Sequence, residues 1–180
     1  MDRRSLLTGG GTILVAATLA RGAEARAKLS PATPEDARFM QVAIEQAKGA
    51  DYPFGAVIVR GDSVLALGRN STKRLHDPTA HAEMEAIRAF LKGHEPDDFT
   101  TTTIYASGEP CPMCMGAIIW CGFKRLVYAA SISELSKEIG QINITATRIA
   151  KAAPFADIEI TPGVMSRESM ALFAGKDGDK

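Results

Sequence analysis

Thr102-Thr-Ile-Tyr-Ala-Ser-Gly-Glu-Pro-Cys111-Pro-Met-Cys114-Met-Gly-Ala-Ile-Ile-Trp120-Cys-Gly-Phe-Lys-Arg125-Leu-Val-Tyr-Ala129 reads as strand, helix, strand. Residues Thr102 to Ala106 predict the first strand, Cys111 to Trp120 the helix and Arg125 to Ala129 the second strand. Pro110 and Pro112 suit a helix's first turn, where a missing N–H costs nothing. Upstream, helical spacing over Pro34 to Lys48 precedes two short apolar runs, Phe54 to Val59 and Val64 to Gly68. Arg60-Gly61-Asp62-Ser63 joins those runs, and the pair predicts a β-hairpin. His81 to Leu91 predicts another helix. Downstream, Ile132 to Pro154 fits neither period, while Asp157 to Thr161 and Met165 to Ala174 predict a final strand and helix. Strands alternating with helices imply a layered α/β domain. The chain shows no internal repeat.

The same stretch carries chemistry. Cys111 and Cys114 lie three residues apart, so on a helix they share a face. A helix N-terminus stabilises thiolates there. Upstream stands His81-Ala82-Glu83. A catalytic zinc takes three protein ligands and keeps a fourth position for water, whose pKa it lowers to about 7. His81, Cys111 and Cys114 meet that count, which makes zinc the expected cofactor. Glu83 is then best read as a non-ligand: a carboxylate beside the water that takes its proton and delivers it to a substrate. Asp77-Pro78 is the expected start of the second helix, with Asp77 as N-cap and Pro78 at the first helical position. Two residues apart, His81 and Glu83 do not share a helix face, so the open first turn must aim both inward.

His-x-Glu followed by Pro-Cys-x-x-Cys is the signature of zinc nucleobase deaminases. The stretches Asn70 to Glu83 and Glu109 to Trp120 resemble the cytidine deaminase-like superfamily, within it the guanine deaminase and tRNA adenosine deaminase branch. The similarity spans residues 35–174 and implies a three-layer α/β/α fold with a central mixed sheet. It also implies a hydrolase that removes an exocyclic amine and releases ammonia, with Glu83 catalytic. For substrate binding, Asn70 matches the family asparagine that hydrogen-bonds the base, and the Ala82 N–H matches one that contacts a ring carbonyl. Phe54 and Trp120 are candidate walls for a flat heterocycle. Trp120 matches the guanine deaminases, whereas Glu159-Ile-Thr-Pro-Gly-Val resembles the tRNA enzymes. His76 and His94 are read as loop or surface residues.

The N-terminus predicts export. Arg3-Arg4 precedes the apolar stretch Gly9 to Ala20 and then Ala25-Arg26-Ala27, in the order of a signal peptide's charged, apolar and cleavage regions. The arginine pair resembles a twin-arginine signal. The expected organisation is a signal peptide over 1–27, a linker over 28–34 containing Pro31 and Pro34, and a deaminase domain over 35–180. Removing 1–27 takes 4 of the 21 basic and 2 of the 21 acidic side chains, leaving 17 and 19 on 153 residues. A slightly acidic domain without a dense Lys/Arg cluster argues against folded RNA as substrate. A periplasmic or secreted enzyme acting on a free base or related small heterocycle, with guanine-like bases leading, is the expected function. A nucleoside or tRNA adenosine deaminase and a catalytically silent zinc-binding interaction module are the alternatives. The expected partners are a nucleobase substrate and a second copy in a homodimer, with no stable membrane span in the mature protein. Cys121, left over from the zinc set, reads as a small buried hydrophobe.

Overall fold

A computed structural model describes residues 27–174. The expected signal peptide lies outside the described residues, apart from its last residue, Ala27. The secondary structure begins with β1 (Lys28–Leu29), α1 (Pro34–Lys48), β2 (Gly55–Arg60), β3 (Ser63–Arg69) and α2 (Ala82–Phe90). After a 3-10 turn follow β4 (Thr103–Gly108), α3 (Pro112–Cys121), β5 (Arg125–Ala130) and α4 (Ile132–Leu135). The chain continues with α5 (Ala146–Ala152), β6 (Glu159–Thr161) and α6 (Ser166–Met170).

The strands form one sheet in the order β1-β6-β5-β4-β2-β3. Its β1, β6, β5 and β4 run parallel, while β2 is antiparallel to both β4 and β3. The expected mixed sheet and hairpin are therefore present. Period-two alternation divides the core between the faces. Val57, Val59, Tyr105, Val127 and Ala129 meet Phe39, Met40 and Ile44 of α1. On the opposite face, Ala56, Ile58, Ile104, Leu126 and Tyr128 pack with Ala86 and Phe90 of α2, Met115 and Ile118 of α3, and Ala150 of α5. Both faces being covered, β2 reads as an unbroken apolar run.

Residues 28–34 do not form a plain linker. Lys28 and Leu29 pair in parallel with Glu159 and Ile160, the Lys28 N–H donates to the Ile158 carbonyl at 3.1 Å, and the Lys28 ammonium lies 2.7 Å from Glu159. The exposed edge of β6 supplied hydrogen-bonding groups that no local pattern in Lys28-Leu29-Ser30 announces. Within 132–154, two short helices flank an irregular stretch over residues 136–145. The predicted last helix is shorter than expected, its N-cap Met165 standing in the left-handed region at φ 57°.

Close packing on one face and a buried ion pair on the other tie the helices to the sheet. Gly68 of β3 lies so close to α2 that a Cβ there would overlap the Ala82 carbonyl and the Ala86 nitrogen, so the start of α2 is pressed onto the sheet. On the other face, buried Asp36 of α1 receives both Arg125 guanidinium nitrogens at 2.7 Å and the Tyr105 hydroxyl at 3.0 Å. Among the described residues no helix is long and apolar enough to cross a membrane.

Candidate metal and catalytic site

The site lies beyond the carboxyl end of β4, where the chain turns through Gly108, Glu109 and Pro110 into α3. Cys111 is the N-cap of that helix in extended backbone (φ −63°, ψ 167°), and Pro112 opens it. Cys114 follows in the first turn and is fully buried. The second contribution comes from α2, whose N-cap is His81. Its Nδ1 lies 3.6 Å from the Sγ of Cys111 and 3.6 Å from that of Cys114. All three candidate ligand atoms fall within 4.8 Å of one another. A tetrahedral zinc, with Zn–S near 2.3 Å and Zn–N near 2.0–2.1 Å, sets its nitrogen and sulfur ligands about 3.6 Å apart. The donor set and its spacing therefore fit zinc.

The expected start of α2 needs correction. Asp77 and Pro78 begin a tight turn, not the helix: the Asp77 carboxylate accepts the Thr79 N–H at 2.8 Å and the Thr79 hydroxyl at 2.7 Å, and the Ala80 N–H donates to the Asp77 carbonyl. Asp followed by Pro signals either element, and here Thr79 captures the side chain that would have capped a helix. Because the helix starts at Ala82, His81 sits in extended backbone and Glu83 in the first turn. This change of conformation between them removes the obstacle that two residues at that spacing cannot share a helix face.

Glu83 is 7% exposed, and burial pushes its carboxyl up to about 6. The Cys111 thiol is held down at about 4, first by the hydrogen bond from Cys114 and then by His81, against the opposing effect of burial. Cys114 is raised, first by that same hydrogen bond and then by burial. The hydrogen bond with Cys111 raises the His81 imidazole.

A cavity of about 530 Å³ opens over His81, Glu83 and Cys111. Asn70 and Phe54 line it. Asn70 is 3% exposed, and its side-chain oxygen accepts the Thr72 N–H at 3.3 Å and the Thr72 hydroxyl at 3.0 Å. Phe54 is braced edge-on by Phe173 at 5.4 Å. Ala82 is buried at the first position of α2, where a helix leaves its N–H without an intrahelical partner.

Trp120 is not part of this cavity. It lies near the far end of α3, 79% exposed and against Phe155 at 4.9 Å. Nine helical steps carry it away from Cys111, about 13 Å at 1.5 Å per residue. His94 stacks on Phe90 at 4.3 Å, whereas His76, read as a loop residue, is exposed and also lines the cavity. Cys121 is half-buried.

Tyr52, Thr72, Lys73, Glu109 and the segment Ile139 to Ile142 also line the cavity, although no motif marks them as functional residues. Only Glu109 carried a signal, as an acidic residue between an apolar strand and an apolar helix. The others reach the cavity from loops.

Residues 33–130 match the model of the cytidine and deoxycytidylate deaminase zinc-binding region. The guanine deaminase of Bacillus subtilis (strain 168) is 35% identical over 133 residues, covering 71% of this chain and 85% of that protein. A tRNA-specific adenosine deaminase of Buchnera aphidicola subsp. Baizongia pistaciae (strain Bp) is 42% identical over 111 residues, covering 58% and 67%. A solved guanine deaminase from Nitrosomonas europaea superposes with a TM-score of 0.64 at 25% identity, covering 79% of this chain and 83% of that one. With the three candidate metal donors converging and the motif-bearing helices in place, the chain belongs to the cytidine and deoxycytidylate deaminase zinc-binding family and is a deaminase, a hydrolase of C–N bonds.

Proposed function

We propose that this deaminase removes an exocyclic amine from a free nucleobase or related small heterocycle, with guanine-like bases as the leading substrates. The observation that carries this reading is the placement of a buried carboxyl, Glu83, in one cavity with His81, Cys111 and the Asn70 side chain. His81 Nδ1 and the Cys111 and Cys114 sulfurs would hold the zinc. Bound there, the metal would supply Lewis acidity.

The chain's own groups do the rest. Asn70 has its side-chain oxygen occupied by Thr72, which leaves its N–H₂ to donate to an acceptor on the base. Phe54 offers an aromatic face to a planar ring. As water adds to the carbon bearing the amine, the Glu83 carboxylate takes the water's proton and delivers it to the adjacent ring nitrogen. Glu83 then takes the remaining hydroxyl proton and passes it to the departing nitrogen. The C–N bond breaks, a carbonyl remains, and ammonia leaves. The similarity to guanine deaminase over 71% of the chain supports the choice of a guanine-like base.

The test is ammonia release from zinc-loaded protein presented with guanine, cytosine, their nucleosides and an adenosine-containing RNA hairpin. Higher kcat/KM on a free base than on its nucleoside is expected. A clear preference for the hairpin would overturn the free-base reading in favour of RNA, the reading that the 42% identity to a tRNA-specific enzyme favours. Absence of ammonia across the panel would favour a silent zinc-binding module. Export through Arg3-Arg4 to the periplasm or beyond, and a homodimer, complete the proposal.

A further inference from the structure

Glu109 stands two residues before Cys111 and is 5% exposed, yet its side chain spends both oxygens on main-chain groups far away in sequence. Oε2 accepts the N–H of Ile132 at 2.8 Å, and Oε1 accepts the N–H of Ala146 at 2.8 Å. Ile132 and Ala146 are the first residues of α4 and α5, where N–H groups have no intrahelical acceptor and the helix presents partial positive charge. One buried carboxylate thus closes two helix starts at once. Its own N–H donates to the Ala130 carbonyl at 2.7 Å, which fixes the residue's backbone to β5.

The irregular segment between α4 and α5 contributes Ile139, Gly140, Gln141 and Ile142 to the cavity that holds His81 and Glu83. Glu109 binds the starts of the helices on both sides of that segment. From this geometry we infer that Glu109 is a positioning residue that holds the 139–142 wall against the metal site and so governs substrate affinity. It does not carry protons in the reaction: each oxygen is already engaged by an N–H, and Glu83 supplies the mobile proton. The inference rests on the deaminase reading for its kinetic consequence and on geometry alone for its structural one.

The test is Glu109→Gln in the zinc-loaded full chain, which keeps the side chain's shape but turns one acceptor into a donor aimed at a main-chain N–H. Hydrogen exchange should quicken across residues 132–146 while 82–90 and 112–121 and the zinc content stay as in the parent. On the best base of the panel, KM should rise about tenfold with kcat changed less than about threefold, the pattern of lost binding and not of lost chemistry. A collapse of kcat at unchanged KM would make Glu109 a proton carrier and overturn the inference. So would loss of zinc or faster exchange throughout the chain, which would mark a general structural role. Ala146→Pro provides a second route, since proline is tolerated at a first helical position and removes only the donor. It should quicken exchange over 136–145 with Glu109 intact, and unchanged exchange there would count against the inference. The exchange arms need no substrate, so they stand whether or not any base is deaminated.

Discussion

His81 and Cys111 hold the same place in two different helices: each is the N-cap in extended backbone, and their Nδ1 and Sγ atoms lie 3.6 Å apart. Two helix starts therefore converge on one point. Their partial positive charge favours thiolates and a carboxylate there. Glu83 and Cys114 come from the first turns of the same two helices, so the candidate metal donors and the carboxyl proposed to carry the proton are placed by the same pair of elements.

That arrangement allows metal binding to be separated from chemistry. Glu83→Gln should retain about one zinc per chain and lose about 10²- to 10⁴-fold in kcat, the usual contribution of a general acid–base group. Cys111→Ser should lose the zinc itself. Metal analysis beside ammonia release distinguishes the two, and activity surviving in Glu83→Gln would sink the assigned role.

Asn70 depends on Thr72 for its orientation. Leaving a buried partner of the substrate unpaired costs about 1–3 kcal/mol, so Asn70→Ala should lower kcat/KM about tenfold or more. Thr72→Val keeps the side chain's shape but removes the hydroxyl donor, and should produce a smaller loss in the same direction. Steady-state kinetics on the preferred base decide it; an unchanged Asn70→Ala enzyme would remove Asn70 from the binding site.

The Asp36–Arg125 pair supplies a stability prediction independent of the reaction. Burial opposes the Asp36 charge, but Arg125, the Thr33 N–H and the Tyr105 hydroxyl outweigh it and hold the carboxyl below its ordinary value. A depressed folded-state pKa contributes stability fully above the unfolded value of about 3.9, and that contribution is lost as pH falls through the lower folded value. Urea unfolding should therefore weaken from about pH 4 downward, and Asp36→Asn should show a shallower decline over that range. At neutral pH, Asp36→Ala should cost about 3–5 kcal/mol, because it leaves Arg125 without its partner. An Asp36→Ala protein as stable as the parent would show that the pair is dispensable.

The proposed export through Arg3 and Arg4 is tested by localisation. Replacing Arg3 and Arg4 with Lys should hold the precursor inside the cell with its deaminase activity intact, since a twin-arginine substrate folds before transport. Terminal sequencing of the exported protein should find Lys28 first, placing the new amine at the start of β1. Normal export of the double variant would point to another route.

Residue types and short spacings determined the chemistry. One histidine and two cysteines three apart specify a zinc donor set whatever the surrounding fold, and the nearby glutamate is the carboxyl proposed to carry protons beside it. The principal strands and helices were legible for the same reason, because period-two and helical patterns and proline-marked helix starts are local. Tertiary structure decided what those signals left open. Thr79 took the Asp77 side chain and moved the start of α2; the edge of β6 turned Lys28 and Leu29 into a strand. The length of α3 carried Trp120 away from the cavity although its motif lies beside Cys111 in sequence. Glu109 became a clamp only when Ile132 and Ala146, 23 and 37 residues away, came within 2.8 Å of its carboxylate. Such contacts depend on how helices and strands pack, and hydrogen bonds between distant main-chain groups leave no periodicity in the sequence.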